Sequence, residues 1–166
     1  MRHLIAILLQ NEAGALTRVT GLISSRGYNI ESLSVAPTNE PTVSRLTLVT
    51  SGSDAVISQI NAQLLKLVDV VAVDDLTSGD HWARELLLIK LQIAAEQAEA
   101  VHAIVHRAGG KVLASNPPNF VAELAGTETA IGEFIANIGA FGEIVEVVRS
   151  GVLGISRANP RVHAVK

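Results

Sequence analysis

The sequence from residue 4 to residue 16 reads LIAILLQNEAGAL, an apolar run that leads into a loop of polar and small residues. The short apolar run followed by turn residues predicts a buried strand over residues 2–9. Leu16, Val19, Leu22 and Ile23 then recur at helical spacing and predict a helix over residues 14–26. The loop therefore opens a helix, whose first backbone N–H groups have no partner within the helix and can hold a carboxylate.

The residues of this loop suit a small amino acid. Gly14 has no side chain to block a close approach. The amides of Asn11 and Asn29 can accept from an ammonium group and donate to a carboxylate. The same pattern also fits an ordinary helix start that needs a cap and a glycine only for chain geometry, so both interpretations stay open on these residues alone.

The position of Asn29 bears on this choice. If residues 2–9 and 28–36 are strands of one sheet, Asn29 begins its strand close to the end at which the first helix finishes. We therefore do not expect Asn29 to reach a ligand at Gly14 of its own chain. A neighbouring chain could supply it, which would make the pocket an interface feature.

The first half of the chain follows the order β-α-β-β-α-β. Further strands are predicted over residues 28–36, 43–50 and 68–73, and Ser53 can cap a second helix. Its apolar stripe consists of Val56, Ile57, Ile60, Leu64 and Leu67. Because the apolar set changes face between Ile30 and Leu33, we expect a β-bulge near Glu31 and Ser32.

The second half repeats this order after a polar stretch at residues 76–84. Strands are predicted over 86–93, 111–115, 119–125 and 143–148, with helices over 96–108 and after Thr127. The predicted class is α+β, with two tandem ferredoxin-like βαββαβ domains. They span residues 1–76 and 85–157, with a linker at 77–84 and a tail at 158–166. The basic segment from Arg149 to Arg157, with Arg161, His163 and Lys166, is expected to fray.

Composition narrows the function. The net charge of −3 and the single aromatic residue of the first unit, Tyr28, argue against nucleic-acid binding. No apolar run approaches the length of about 20 residues that a membrane-spanning helix needs, so we expect a cytoplasmic protein with no membrane association. The absence of cysteine excludes disulfides and thiolate catalysis. Small sheets of this kind leave edges and one face open, which favours a homodimer.

Sites for bond-making chemistry are weakly supported. His102 and His106 lie four residues apart with Glu99 before them, but no third strong metal ligand is evident, and a solvated helix face is the simpler interpretation. Asp74, Asp75 and Asp80 fit a strand end and a turn better than an acid–base pair. We therefore expect no catalytic residues, no metal and no cofactor on this chain.

Several motifs resemble the small regulatory subunit of acetolactate synthase (acetohydroxyacid synthase). They are NEAGAL at 11–16, RGYNIESL at 26–33, KLVDV at 66–70, LAGT at 124–127, and IVEV at 144–147 with RSG at 149–151. The resemblance covers essentially the whole chain, and GYNIES is its most specific part. It is weaker over residues 94–120, so contacts to a catalytic subunit are not assigned to residues.

The resemblance implies an N-terminal ACT domain that binds valine between two protomers. Carried over by motif, Asn11, Ala13, Gly14, Ala15 and Leu16 would lie on one side of the valine, and Asn29 and Ile30 of the second protomer on the other. It also implies a larger catalytic subunit that carries thiamine diphosphate, Mg²⁺ and FAD and that condenses two pyruvates, or pyruvate with 2-oxobutyrate.

The hypothesis from the sequence is thus allosteric control in branched-chain amino-acid biosynthesis. The chain would form a homodimer through its ACT domains, activate the catalytic subunit, and lose that effect when valine binds. The alternative is a stand-alone amino-acid-sensing dimer that regulates another enzyme or transcription.

Overall fold

The computed structural model describes residues 1–157, which divide into two compact units. The first unit comprises Met1–Ala83 together with residues 152–157, and the second comprises Arg84–Gly151. The predicted tail at 158–166, with Arg161, His163 and Lys166, lies outside the described residues.

The first unit has the predicted βαββαβ order. Its elements are β1 (Arg2–Gln10), α1 (Ala15–Ser25), β2 (Ile30–Pro37), β3 (Val43–Ser51), α2 (Asp54–Leu64) and β4 (Val70–Asp75). The four strands form one antiparallel sheet in the order β2-β3-β1-β4. This order confirms the ferredoxin-like fold and leaves β2 and β4 at the two edges of the sheet.

The core of the first unit lies between this sheet and its two helices. Alternate residues of β1, namely Ile5, Ile7 and Leu9, are at most 2% exposed and pack in one cluster with Val19 and Ile23 of α1. Each such side chain contributes about 1.5–3 kcal/mol by leaving water. These residues of β1 and the helically spaced residues of α1 thus bury one continuous apolar layer.

The predicted β-bulge is confirmed. The β2–β3 register shifts between Ile30 and Ser32, so Glu31 is the extra residue. Its carboxylate accepts from Arg2 Nε at 2.6 Å and from the Ser51 hydroxyl. The Ser51 hydrogen bond, supported by Arg2, holds the pKa of Glu31 below its usual value.

The second unit repeats the topology of the first. Its elements are β5 (His81–Ile93), whose first three residues belong to the first unit, α3 (Ala98–Arg107), β6 (Lys111–Asn116), β7 (Asn119–Gly126), α4 (Glu128–Ile138) and β8 (Gly142–Arg149). The sheet order is β6-β7-β5-β8. Leu87, Ile89 and Leu91 of β5 pack with Phe120 in its core, and Thr127 caps α4 as predicted.

The segment predicted as a linker, residues 77–84, is ordered into the first unit and into β5. Leu76–Ser78 form a short 3₁₀ helix whose start is capped by the Asp75 side chain. The Thr77 hydroxyl accepts from the Leu4 N–H at 2.7 Å, and Leu76 is 3% exposed. Polar composition indicated a linker, but these polar groups satisfy nearby backbone groups instead.

The expectation of a frayed basic segment is wrong for residues 149–157. Arg149 pairs with Glu85 in the second unit, and Leu153–Ser156 form a ninth strand, β9, that pairs with β5. We call residues 152–157 the return segment, because they lead the chain back to the first unit. The short apolar pattern VLGI between glycine and serine was the only sequence signal for it.

The return segment covers the face of the first sheet that carries no helix. Val152 packs with Leu4, Ala6, Val49 and Leu76 in a second cluster. The Gly154 carbonyl accepts from Arg45 Nη2 at 2.9 Å. At its end the Arg157 guanidinium lies 3.7 Å from the centroid of the Trp82 ring and 3.2 Å from the Asp80 carboxylate. The return segment thus covers an apolar face of the first sheet that was expected from the sequence to be open.

Gly154 is expected to be required for this packing. A Cβ atom there would lie 2.6 Å from Leu76 Cδ1 and 2.7 Å from Leu4 Cδ2, so the Gly154→Ala variant is overpacked. We expect a loss of about 1–3 kcal/mol in the free energy of unfolding, measured by urea denaturation. The control is Gly79→Ala, where the added Cβ meets nothing within 4 Å. Equal effects of the two substitutions would contradict this account.

Candidate effector site

Hydrogen bonds join the loop after β1 to the segment before β4 and to the β2–β3 turn. The Gln10 N–H donates to the Asp69 carbonyl at 2.7 Å, and the Asn11 N–H donates to the Thr42 carbonyl at 2.8 Å. Asn11 Nδ2 donates to the Pro41 carbonyl at 3.0 Å. The Asn11 side chain, predicted as a ligand contact, therefore also holds the β2–β3 turn against the loop.

Gly14 begins α1 in a left-handed backbone conformation, with φ at +86°. Within residues 1–157 no side chain makes a capping hydrogen bond at this helix start, and the first turn has no acidic residue. By contrast, Ser53 caps α2 and Thr127 caps α4, each with an acidic residue in the first turn. Unlike α2 and α4, α1 thus begins at a glycine and not at a capping side chain. Its positive end lies next to the candidate ligand loop.

Arg18 adds a cation at this helix start, and no motif in the sequence pointed to it. Arg18 Nη1 lies 2.9 Å from the position that a Cβ of Gly14 would occupy. Its guanidinium binds the Asp69 carboxylate at two points, through Nε and through Nη2 at 2.8 Å. The available signal was the spacing, since a residue four positions after Gly14 lies one helical turn further along α1.

The Arg18–Asp69 pair links α1 to the segment before β4. The Asp69 side chain is 5% exposed, whereas that of Arg18 is 47% exposed. Its hydrogen bond to Arg18 holds the pKa of Asp69 below the usual range of an aspartate. The guanidinium is therefore kept in place above the helix start while one side of it remains open to water.

The structure divides the predicted contact residues by their exposure. Ala13 is exposed, and Leu16 is 36% exposed on the outer side of α1. Ala15 is 1% exposed, because its methyl group packs into the core of the first unit. Ala15 can therefore offer a ligand its backbone, but not its side chain.

Asn29 and Ile30 lie at the opposite end of the sheet from Gly14. Ile30 pairs with Thr50, which pairs with His3, whereas the loop leaves the sheet after Gln10. His3 and Gln10 are seven residues apart in β1, which corresponds to about 24 Å along the strand. Asn29 is exposed, and its carbonyl accepts from the Thr50 hydroxyl at 2.7 Å. One chain therefore does not bring Asn29 and Gly14 together, as the sequence analysis expected.

Three of the other candidate residues make structural contacts. His102 Nε2 lies 2.9 Å from the Ser115 hydroxyl, and its ring meets Phe120 edge-on at 5.3 Å. Asp75 caps the 3₁₀ helix and Asp80 pairs with Arg157. In the described part of the chain no three histidine or acidic side chains come close enough to hold a metal. The helices of that part are all too short or too polar to cross a bilayer.

Comparison with known proteins adds a family to this geometry. Residues 5–72 match the family described as the AHAS small subunit-like ACT domain, and residues 84–158 match the family described as the small subunit of acetolactate synthase. The two matches together cover nearly all of both units.

Similar proteins match this chain over nearly their full length. The chain is 46% identical to the acetolactate synthase isozyme 3 small subunit of Salmonella typhimurium, over 96% of this chain and 98% of that protein. It is 37% identical to the acetolactate synthase small subunit of Haemophilus influenzae, over 98% and 99% of the two chains. The crystal structure of the acetolactate synthase small subunit from Thermotoga maritima matches with a TM-score of 0.87 at 29% identity, over 96% and 99%.

Gly14→Ala is expected to damage the loop. A side chain at φ +86° is strained and would also collide with the Arg18 guanidinium, which Asp69 holds in place. We expect a loss of about 1 kcal/mol or more in the free energy of unfolding. Gly21→Ala in the same helix is the control, since its Cβ would meet nothing within 4 Å and should be neutral or stabilising by up to about 1 kcal/mol. A Gly14→Ala protein as stable as Gly21→Ala would refute the assigned strain.

Asp69→Asn is expected to change the pH dependence of stability. Because the folded-state pKa of Asp69 is lowered, its contribution is present above the unfolded-state pKa of about 3.9 and is lost as the pH falls through the folded value. The melting temperature of the variant should therefore be lower than that of the parent at pH 7, and the difference should shrink towards pH 3. A difference that is constant over this range would show that Arg18 does not stabilise the ionised carboxylate.

Proposed function

Because the chain belongs to the family of acetolactate synthase small subunits, we propose that it activates a catalytic subunit and makes it sensitive to valine. The catalytic subunit joins two pyruvates to 2-acetolactate and carbon dioxide, or pyruvate with 2-oxobutyrate, in branched-chain amino-acid biosynthesis. Its thiamine diphosphate, Mg²⁺ and FAD belong to that subunit, and this chain supplies no catalytic group. A cytoplasmic location follows from this role.

The helix start at Gly14 is the observation that supports an effector site most directly. A helix that needed only a cap would gain stability from a serine, threonine, aspartate or asparagine at this position. Here a left-handed glycine leaves the first N–H groups of α1 without a capping side chain, and Arg18 stands beside them. The carboxylate of valine would accept from these N–H groups, and its isopropyl group would lie against the exposed Leu16.

The second half of the pocket requires a second copy of the chain. β2 is an edge strand, and its end pairs through Ser44 with Leu9, at the level of the Gly14 loop. If two β2 edges pair antiparallel, the start of β2 in one copy lies beside the end of β2 in the other. Asn29 and Ile30 of the second copy then reach the end of the sheet that carries Asn11 and Gly14. Homodimerisation through the ACT domains thus completes the site.

Regulation requires two arrangements of the complex that bind valine with different affinity. A ligand that bound both arrangements equally would shift neither population. An interface pocket meets this requirement, because a change in how two β2 edges pair alters the distance between the two halves of the site. One methylene separates valine from leucine and isoleucine, so we expect graded selectivity among the three.

Reconstitution tests the proposal. The purified chain is added to the catalytic subunit from the same source, and acetolactate formation is measured with and without valine. We expect stimulation that valine abolishes. No effect of the chain on the rate would favour a stand-alone amino-acid sensor instead.

Asn29→Ala separates the effector site from the activating surface. We expect this variant to stimulate the catalytic subunit normally while its valine response shifts to at least tenfold higher concentration, since a hydrogen bond to a charged group is lost. Asn119→Ala, an exposed asparagine in the second unit, is the matched control. Loss of stimulation in Asn29→Ala alone would show that the two surfaces are not separable.

A further inference from the structure

The second unit contains a cleft of about 580 Å³, lined by residues of α3, β7, α4 and the turn after α4. Its floor is apolar, with Leu124 and Phe134 each 3% exposed. Ile104 and Phe141 stand half-buried at its sides. The volume and the apolar floor are typical of pockets for small molecules.

Opposite charges stand on the rim of this cleft. Arg107 comes from the last turn of α3, and Glu133 and Asn137 lie four residues apart on one face of α4. All three are exposed, and among residues 1–157 none of their side chains has an ion pair or a hydrogen bond. Four other described arginines form ion pairs, namely Arg2–Glu31, Arg18–Asp69, Arg149–Glu85 and Arg157–Asp80.

We propose that this cleft binds a zwitterionic α-amino acid with a large apolar side chain. The guanidinium of Arg107 presents a planar fork that matches a carboxylate. The carboxylate of Glu133 and the amide oxygen of Asn137 accept from the ammonium group. The apolar side chain of the ligand covers Leu124 and Phe134, which gains free energy in proportion to the apolar area removed from water.

Other occupants match the rim less well. A simple carboxylic acid or a phosphate would pair with Arg107 but would bring a negative charge towards Glu133. A purely apolar side chain of a partner protein would fill the floor but leave both rim charges without a partner. Of these occupants, a ligand with both charges and an apolar group uses all three features of the cleft.

This site is independent of the effector site at Gly14. Every residue that lines it belongs to the second unit, which has its own apolar core. None of them belongs to the loop at 11–16 or to β2. The proposal therefore adds a second amino-acid site to the chain, whatever the outcome of the valine experiments.

Calorimetry on the full chain provides the test, with L-phenylalanine and L-leucine as probes. The titrations are made in the Asn29→Ala variant, so that heat from the interface site is reduced. We expect saturable binding of one probe molecule per chain. L-leucine amide, which lacks the carboxylate, and 4-methylpentanoate, which lacks the ammonium group, are each expected to bind at least tenfold more weakly than L-leucine.

Variants assign the binding to the cleft. Arg107→Gln and Glu133→Gln should each weaken binding at least tenfold, and Arg107→Lys should give an intermediate value, because it keeps the charge but loses the fork. Ala136→Leu fills the cleft and should abolish binding. Ala103→Leu and Glu99→Gln, at exposed positions of α3 outside the cleft, are the matched controls and should bind as the parent does.

Three results would overturn the proposal. The first is no heat with either probe at millimolar concentration. The second is binding that the cleft variants leave unchanged, which would place it elsewhere on the chain. The third is that the chain binds neither probe and that its Ala136→Leu variant no longer associates with the catalytic subunit. This result would show that a side chain of the catalytic subunit fills the cleft.

Discussion

The backbone at Gly14 is the constraint on which the candidate site depends. A left-handed residue at the end of the loop turns the chain into α1 without a capping side chain. The Arg18 guanidinium occupies the space where a side chain of residue 14 would lie, and Asp69 fixes that guanidinium from the other side of the loop. Backbone geometry and one ion pair thus place a guanidinium at the positive end of α1.

The same sheet geometry explains why a single chain holds only half of the proposed pocket. The crossover through α1 carries the chain from one end of the sheet to the other, so Gly14 and Asn29 lie at opposite ends. An antiparallel pairing of two β2 edges reverses this separation between copies. A regulatory pocket built in this way would respond to how two chains meet, which a pocket within one chain would not.

The two units share a topology but treat their sheet faces differently. In the first unit the return segment covers the face without helices, and Arg45, Gly154 and Arg157 hold it there. In the second unit Leu86, Leu88 and Val148 stay 37–48% exposed on the strands β5 and β8. The cleft with Arg107 and Glu133 lies on the helical side of that second unit. The duplicated fold therefore leaves different surfaces exposed in its two units.

Local pattern was sufficient for most of the fold. The apolar run of β1, the spacing of Val19 and Ile23, the caps Ser53 and Thr127, and the face change at Glu31 all depend on residues close together in sequence. They determined the element order, the bulge and the position of the loop at 11–16. The family motifs lie in the same segments, which is why the resemblance and the pattern agree.

Only the tertiary structure decided which distant groups meet. Arg18 and Asp69 are 51 positions apart, and Arg45 and Gly154 are 109 apart. No local periodicity reports such pairings, because they depend on strand order and on the direction in which the chain returns. By itself the sequence determined the two ferredoxin-like units and their loops. Packing across the sheet decided that Ala15 faces the core, that residues 152–157 rejoin the first unit, and that Arg107 and Glu133 border one cleft.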